Sequence, residues 1–223
     1  MNIFDVIVIG GGHAGCEAAH ASARLKSKVA LITIKNDGIG QMSCNPAIGG
    51  IGKSHLAREI DALDGLMSKI ADHSALQRRK LNARKGPAVQ ATRIQTCRDT
   101  YKKKMQDVIF SHQNITVIEA TVSSLIVENN TVVGVKIDSD NTKIFGKSVV
   151  LTTGTFLGGK IHIGDKSYSS GRAGDKASIQ LEKFFKINGF KVGRLKTGTP
   201  PRLLKSSIDF NNLQEQPSDS DKP

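Results

Sequence analysis

The sequence predicts an α/β fold built on a parallel sheet, and three observations carry that expectation. The short apolar run Val6–Ile9 reads as a strand buried on both faces of such a sheet. It leads directly into Gly10-Gly11-Gly12-His13-Ala14-Gly15, a G-x-G-x-x-G pattern, and the small residues Ala14, Ala18 and Ala19 then open a helix. Strand, glycine turn and helix in that order are the context in which this pattern binds a dinucleotide, whereas the glycines alone would mark only a tight turn. Gly10 allows the turn, Gly12 lets backbone approach a pyrophosphate, and Gly15 lets helix lie close on strand. The N–H groups and positive dipole end of the helix then face the diphosphate.

The second strand, Val29–Ile34, follows at the expected distance. An acid should close it, about 20 residues after the fingerprint, to hold the adenosine ribose. The strand instead ends in Lys35-Asn36-Asp37. Asn36 has the chemistry to bond a ribose hydroxyl, and Lys35 would also suit a 2′-phosphate, so NADP stays open on this feature.

The stretch that comes next, residues 35–53, has no periodicity. Its Ala47-x4-Gly52-Lys53-Ser54 is one residue away from a nucleotide-binding P-loop, but a P-loop is fed by a buried apolar strand and this stretch by the turn-like Gln41–Pro46. A glycine-rich loop here better suits a close approach of backbone to a flat ligand. Cys44 lies in its middle, either a half-buried loop thiol or a thiol beside a redox centre with its pKa lowered by the next helix N-terminus. Ser54–Ile70 reads as one helix with Leu56, Ile60, Leu63, Met67 and Ile70 as its core stripe. After the basic turn Leu81–Val89, Gln90–Ile109 reads as another, with the stripe Ile94, Cys97, Tyr101, Met105 and Val108. Strands are expected at Ile115–Glu119, Val122–Glu128 and Val132–Ile137, the last two joined by an Asn129-Asn130 hairpin turn. Lys147–Gly154 reads as a buried strand returning to the first sheet. Residues 1–205 are thus expected to form the nucleotide-binding domain, with a β-meander at about 115–147, and 206–223 a polar tail without a packing pattern.

Composition narrows the function. The apolar content is 38%, with no run near the roughly 18 residues a membrane span needs. No basic stretch precedes the first apolar run, so no signal peptide is expected. Cys16, Cys44 and Cys97 have no CxxC spacing, which argues against a disulfide framework or zinc site and fits a reducing, cytoplasmic compartment. Cys16 and Cys97 read as packing residues. The net charge of +12 is concentrated: Arg78, Arg79, Lys80, Arg84, Lys85, Arg93, Arg98, Lys102, Lys103 and Lys104 stand against the single acid Asp99. Such a cluster suits a polyanion partner, the alternative being a solvated helix face.

The order of βαβ unit, glycine loop, helices, meander and returning strand resembles the Rossmann-like FAD-binding domain of two-dinucleotide flavoproteins. Within that group the chain resembles the tRNA wobble-uridine modification flavoproteins of the MnmG (GidA) family. The resemblance rests on Ile9–Gly15, Gln41–Lys53, Leu81–Val89, Gly154–Gly164 and Gly193–Arg202, and it covers essentially the whole chain. The family also lacks an acid at the end of the second strand, which favours FAD over NADP. The resemblance implies that Gly10, Gly11, Gly12, His13, Ala14 and Gly15 hold the FAD pyrophosphate. Val122 would meet the adenine through its backbone, and Ser178 is a further FAD contact position. Cys44 matches one of two cysteines implicated in the chemistry. Arg84, Lys85, Lys102, Lys103 and Lys104 would meet tRNA phosphates.

The same resemblance implies a homodimer working with a GTPase partner, MnmE, as a heterotetramer. NADH is the reductant and a folate the one-carbon donor, and a carboxymethylaminomethyl-type group is placed on C5 of uridine. Family members are far longer, so the fold is expected to be C-terminally incomplete here, without the NAD segment, the family's second cysteine, a late strand and a helical C-terminal region. The alternatives are another FAD-dependent oxidoreductase, a folate- and FAD-dependent tRNA methyltransferase, or a non-catalytic remnant that binds RNA or the partner. The methyltransferase would be expected to carry an acid after strand two and to lack the Met42–Lys53 string.

Overall fold

The computed structural model describes residues 3–198 and 200–220. Thr199, inside the Gly193–Arg202 string, and tail residues 221–223 lie outside that range. In chain order the elements are β1 (Phe4–Ile9), α1 (His13–Arg24), β2 (Val29–Thr33), β3 (Ala47–Ile48), α2 (Lys53–Ala62), α3 (Leu66–His73), β4 (Ala75–Leu81), β5 (Ala91–Thr96), α4 (Arg98–Ser111), β6 (Ile115–Glu119), β7 (Val122–Glu128), β8 (Thr131–Ile137), β9 (Lys143–Leu151), β10 (Lys160–Ile163), β11 (Lys166–Ser169) and α5 (Ile179–Ile187). They divide into two compact units, Met1–Gln41 with Lys102–Arg194, and Met42–Tyr101 with Leu195–Pro223.

The first unit is the Rossmann-like one. Its sheet runs β6-β2-β1-β9-β8-β7. β1 pairs in parallel with β2 and with β9, and β2 in parallel with β6. The run that makes β2 is buried at every residue, as a central parallel strand requires. Register aligns Ile9 with Ile32 and with Leu151, and Thr33 with Glu119, so the carboxyl ends of four strands share one edge. Ligands of open α/β sheets bind outside that edge. β9 serves twice, because Lys143–Phe145 pair antiparallel with β8 before Gly146–Leu151 run beside β1. The expected returning strand is therefore present, but it is less buried than its composition predicts, with Val150 and Leu151 exposed. Ile115–Glu119 joins the parallel sheet, and the meander proper is β7–β8–β9. Asn129 and Asn130 both have positive φ, 49° and 60°, as a two-residue hairpin turn needs. Phe4, Ile7, Ile9, Ala30, Ile32, Val122, Val135, Ile137 and the α5 residue Leu181 form one buried cluster.

The second unit corrects two helix expectations. Ser54–Ile70 is two helices rather than one. α2 ends in a Schellman motif, in which Asp64 takes φ +66°, its N–H bonds Asp61 O and the Gly65 N–H bonds Ile60 O. Leu56 and Leu63 consequently lie exposed, off the core, while Leu66 and Ile70 are buried. The helix expected over Gln90–Ile109 is strand up to Thr96. Thr92, Ile94 and Thr96 alternate with Arg93 and Gln95, and the period-2 signal prevails over the helical one. β5 lies between β3 and β4 in an antiparallel three-stranded sheet, and no local signal in the sequence announces β4. Only from Arg98 does the chain turn helical, with Tyr101, Met105 and Ile109 fully buried along one stripe.

Part of the tail also packs. Along β4 the Asp219 N–H bonds Arg78 O at 2.9 Å, and Lys80 N–H bonds the Asp219 carboxylate at 2.6 Å. Gln77 and Arg79 side chains donate to the carbonyls of Gln216 and Pro217.

Candidate functional site

The turn after β1 shows what each glycine is for. Gly10 has φ +112°, and a Cβ there would stand 2.5 Å from the Thr152 carbonyl oxygen. A Cβ on Gly15 would stand 1.7 Å from Gly10 O, so the first turn of α1 rests on the backbone of the turn itself. Gly11 would meet Thr33 Oγ1 at 2.7 Å. Gly12 differs from all three. Its φ is an ordinary −74°, it is exposed, and a Cβ on it would meet nothing within 4 Å. Three glycines are therefore required by the protein's own packing, while the fourth borders open space at the start of α1. That is the shape a pyrophosphate needs. His13 and Ala14 are the first residues of α1, and no side chain caps the helix at Gly12.

Two residues that no sequence motif marks brace this turn. Thr152, just past β9, donates from its hydroxyl to Ile9 O at 2.8 Å. Thr33 lies under Gly11. Their positions follow from strand register, which no local motif records. Cys16 is buried one turn into α1, its thiol facing Gly11 O, and burial pushes its pKa up to about 12.

At the end of β2, Lys35 is not a free cation. Its ammonium pairs with Asp175 at 2.7 Å, and Arg172 pairs with the same carboxylate at 2.8 Å. Asp175 is almost enclosed, and the bonds from Lys35 first and Arg172 next hold its carboxyl below the usual carboxylate range. The neighbouring Asn36 donates its N–H to Glu119, at the end of β6, at 2.7 Å. Val122 is buried in the core cluster, three residues beyond Glu119. Ser178 is buried immediately before α5, with its N–H on Phe156 O and its carbonyl accepting from Gly158.

The string Gly154–Gly164 does structural duty in the first unit. A Cβ on Gly158, at φ +56°, would collide with the Glu182 carboxylate at 2.1 Å. Buried Glu182 is in turn paired with Lys186 at 3.0 Å and Arg194 at 2.6 Å.

Cys44 belongs to the second unit. It is exposed, its Sγ lies 3.6 Å from Gly198 O, and the Arg98 guanidinium bonds its carbonyl. β3 and the Gly49–Gly52 turn intervene between it and α2. Lys53, the first residue of α2, donates to Ala47 O at 3.3 Å. Burial pushes its amine down, while the nearby Cys44 sulfur acts in the opposite direction. The P-loop-like Ser54 is also spent internally, donating to Thr92 O and accepting the Gly50 N–H. Cys97 is half-buried and off any helix stripe. It sits just before α4, and the Thr100 hydroxyl and the N–H groups of Thr100 and Asp99 hold its pKa below the ordinary thiol value.

The basic residues divide. Arg84 and Lys85 are exposed on a loop braced by Asn82, whose side chain donates to Val89 O, and by Gln90, which donates to Lys85 O at 2.8 Å. Lys103 and Lys104 are exposed on α4, but Lys102 is half-buried and paired with Asp37 at 2.6 Å. The three lysines therefore do not form one solvated face.

A parallel sheet with a glycine turn open at a helix N-terminus defines a protein of the Rossmann-like FAD-binding class. Comparison with known proteins carries this further. The family model described as "Glucose inhibited division protein A" (GIDA) matches residues 5–223, so the chain belongs to that family. Aquifex aeolicus GidA is 48% identical in two crystal forms. The form II structure is matched over 97% of this chain and 36% of its own, and the form I structure over 98% and 36%, each with a TM-score of 0.92. The chain thus spans about a third of the length of these relatives. The GidA-related protein of Thermus thermophilus shares the fold at 19% identity and TM-score 0.62, over 85% of this chain and 70% of its own.

Proposed function

We propose that this chain is the FAD-binding part of a flavoprotein that modifies the wobble uridine of tRNA. The observation that carries the reading is Gly12, a glycine that the fold itself does not need, bordering open space at the start of α1. Membership of the GidA family supports it. Gly10 to Gly15 receive the pyrophosphate on backbone N–H groups, with no Cβ in the way. Val122 and Ser178 are proposed as the further FAD contacts. When bound, FAD supplies two-electron redox chemistry, with NADH as reductant.

Cys44 is the proposed catalytic thiol, exposed and reachable by a nucleobase or one-carbon adduct, with Lys53 and Arg98 as neighbouring cations. Arg84, Lys85, Lys103 and Lys104 are proposed to meet tRNA phosphates, Lys102 contributing only when it leaves Asp37. The folate donor, the GTPase partner and the homodimer are proposed from family membership alone.

The test is direct. A full-length version of the protein should retain flavin through gel filtration, with absorbance at ~450 nm from the bound isoalloxazine. Gly12→Val should fold but lose that flavin. Unchanged flavin content in Gly12→Val would overturn the reading of the fingerprint. In a full-length version of the protein, expressed in a strain lacking the endogenous activity, Cys44→Ala should keep flavin and lose modified uridine, measured by mass spectrometry of digested tRNA.

A further inference from the structure

The acid expected at the end of β2 is absent from the sequence, yet the structure brings one there from another strand. Parallel pairing aligns Thr33 with Glu119, so the last residue of β6 stands beside the last residue of β2. One carboxylate oxygen of Glu119 accepts the Asn36 N–H. Glu119 is exposed, and its second oxygen has lone pairs to offer at the carboxyl edge of the sheet. Asn36 adds a second acceptor. Its Oδ1 is shielded from water and accepts no hydrogen bond from any described residue. A buried acceptor without a donor costs stability, and such groups in native proteins call for an explanation. The broad χ2 of Asn allows that oxygen to turn to the rim.

The charges around this edge also select. Lys35, which the sequence alone leaves open to a 2′-phosphate, is held by Asp175, and Arg172 is held by the same carboxylate. Two acceptors and a sequestered cation suit a ligand that offers two hydroxyl donors and no phosphate of its own. A ribose with free 2′- and 3′-hydroxyls is such a ligand. It would lie between the pyrophosphate at Gly12 and the proposed adenine contact at Val122.

We propose that Glu119 and Asn36 receive the adenosine ribose hydroxyls of the bound dinucleotide, and that Asp175 withholds Lys35 so that a 2′-phosphorylated adenosine is rejected. The proposal rests on the FAD-binding reading above and adds to it the residues that hold the adenosine end.

Quenching of FAD fluorescence gives the affinity, and displacement by ADP-ribose or 2′-phospho-ADP-ribose gives the selectivity. Glu119→Ala and Asn36→Ala should each weaken FAD by about 10- to 100-fold, the range for a lost bond to a charged or otherwise unsatisfied group. FMN, which has no adenosine, should bind all three proteins alike. Wild type should be displaced at least about 10-fold more readily by ADP-ribose than by its 2′-phosphate, and Asp175→Asn should narrow that gap by freeing Lys35. Circular dichroism and urea midpoints check that each variant folds, and Asn36→Ala decides if Glu119→Ala does not. Wild-type affinity for FAD in a folded Asn36→Ala and Glu119→Ala pair overturns this proposal while leaving the FAD reading intact. A wild-type protein that binds no FAD overturns both.

Discussion

The glycine turn after β1 and the glycine-rich loop that carries Cys44 are built in opposite ways. In the turn, a Cβ on Gly10, Gly11 or Gly15 would come within 3 Å of protein atoms, and only Gly12 borders open space. In the loop, Gly50 and Gly52 have φ of +137° and +84° and a Cβ on either would meet nothing within 4 Å, whereas a Cβ on Gly49 would stand 2.3 Å from Thr92 O and one on Gly40 2.6 Å from the Met105 side chain. The turn is held by contact, and the Gly50–Gly52 part of the loop by backbone conformation. On the proposed function, a turn fixed by contact would receive the diphosphate without reorganising, and an exposed loop would leave the Cys44 thiol reachable.

The two cysteines of these regions give the largest expected contrast. Cys16, buried under the turn with a pKa of about 12, stays protonated at pH 8 and should take no iodoacetamide until the protein is unfolded. Exposed Cys44 should be labelled in the native protein. Peptide mapping after a timed pulse reads both, and native labelling of Cys16 would break the comparison. Next comes Gly15→Ala, which forces a Cβ into Gly10 O and should cost about 3 kcal/mol, seen as a lowered urea midpoint. Gly50→Ala and Gly52→Ala meet no atom but retain the left-handed strain, so each should cost about 1 kcal/mol.

A smaller effect belongs to pH. Asp175 has a folded pKa below its ordinary 3.8, so its pairing stabilises the protein above that value and the contribution is lost as pH falls below it. Because Lys35 is 56% exposed, the loss should be no more than about 1 kcal/mol, and Asp175→Asn should flatten the acid limb of the stability curve. Smallest of all is the effect of Gly12→Ala on stability, expected within about 0.5 kcal/mol. A large destabilisation there would mean that Gly12 serves the fold after all.

Much of the first region was legible in the sequence because its signals are local. A buried strand, a spaced glycine set and a small-residue helix follow each other without a gap. The Asn129-Asn130 hairpin was legible for the same reason. The β6 acid Glu119 and the brace Thr152 were not, because register alone brings them to the β1–β2 edge from distant parts of the chain. In the second region the errors have a common source. The Asp64-Gly65 pair is a helix stop that the apolar spacing of Leu63 and Met67 conceals, and Ala91–Thr96 carries both periods until β3 and β4 flank it. Lys102 looks solvated by charge alone, and only the fold reveals Asp37 opposite it.

The Gln216–Asp219 segment lying along β4 has a consequence for solubility. β4 is the outer strand of its three-stranded sheet, and without that segment the main-chain groups of Arg78 and Lys80 would be left unpaired at an open edge. A protein clipped ahead of Gln214 should therefore be able to add strands from its own copies. Arg78, Arg79 and Lys80 would repel a second identical edge at low ionic strength. Light scattering by the clipped protein should accordingly stay low in dilute buffer and rise as salt shortens the reach of those charges, the reverse of what salt does to a complex with RNA.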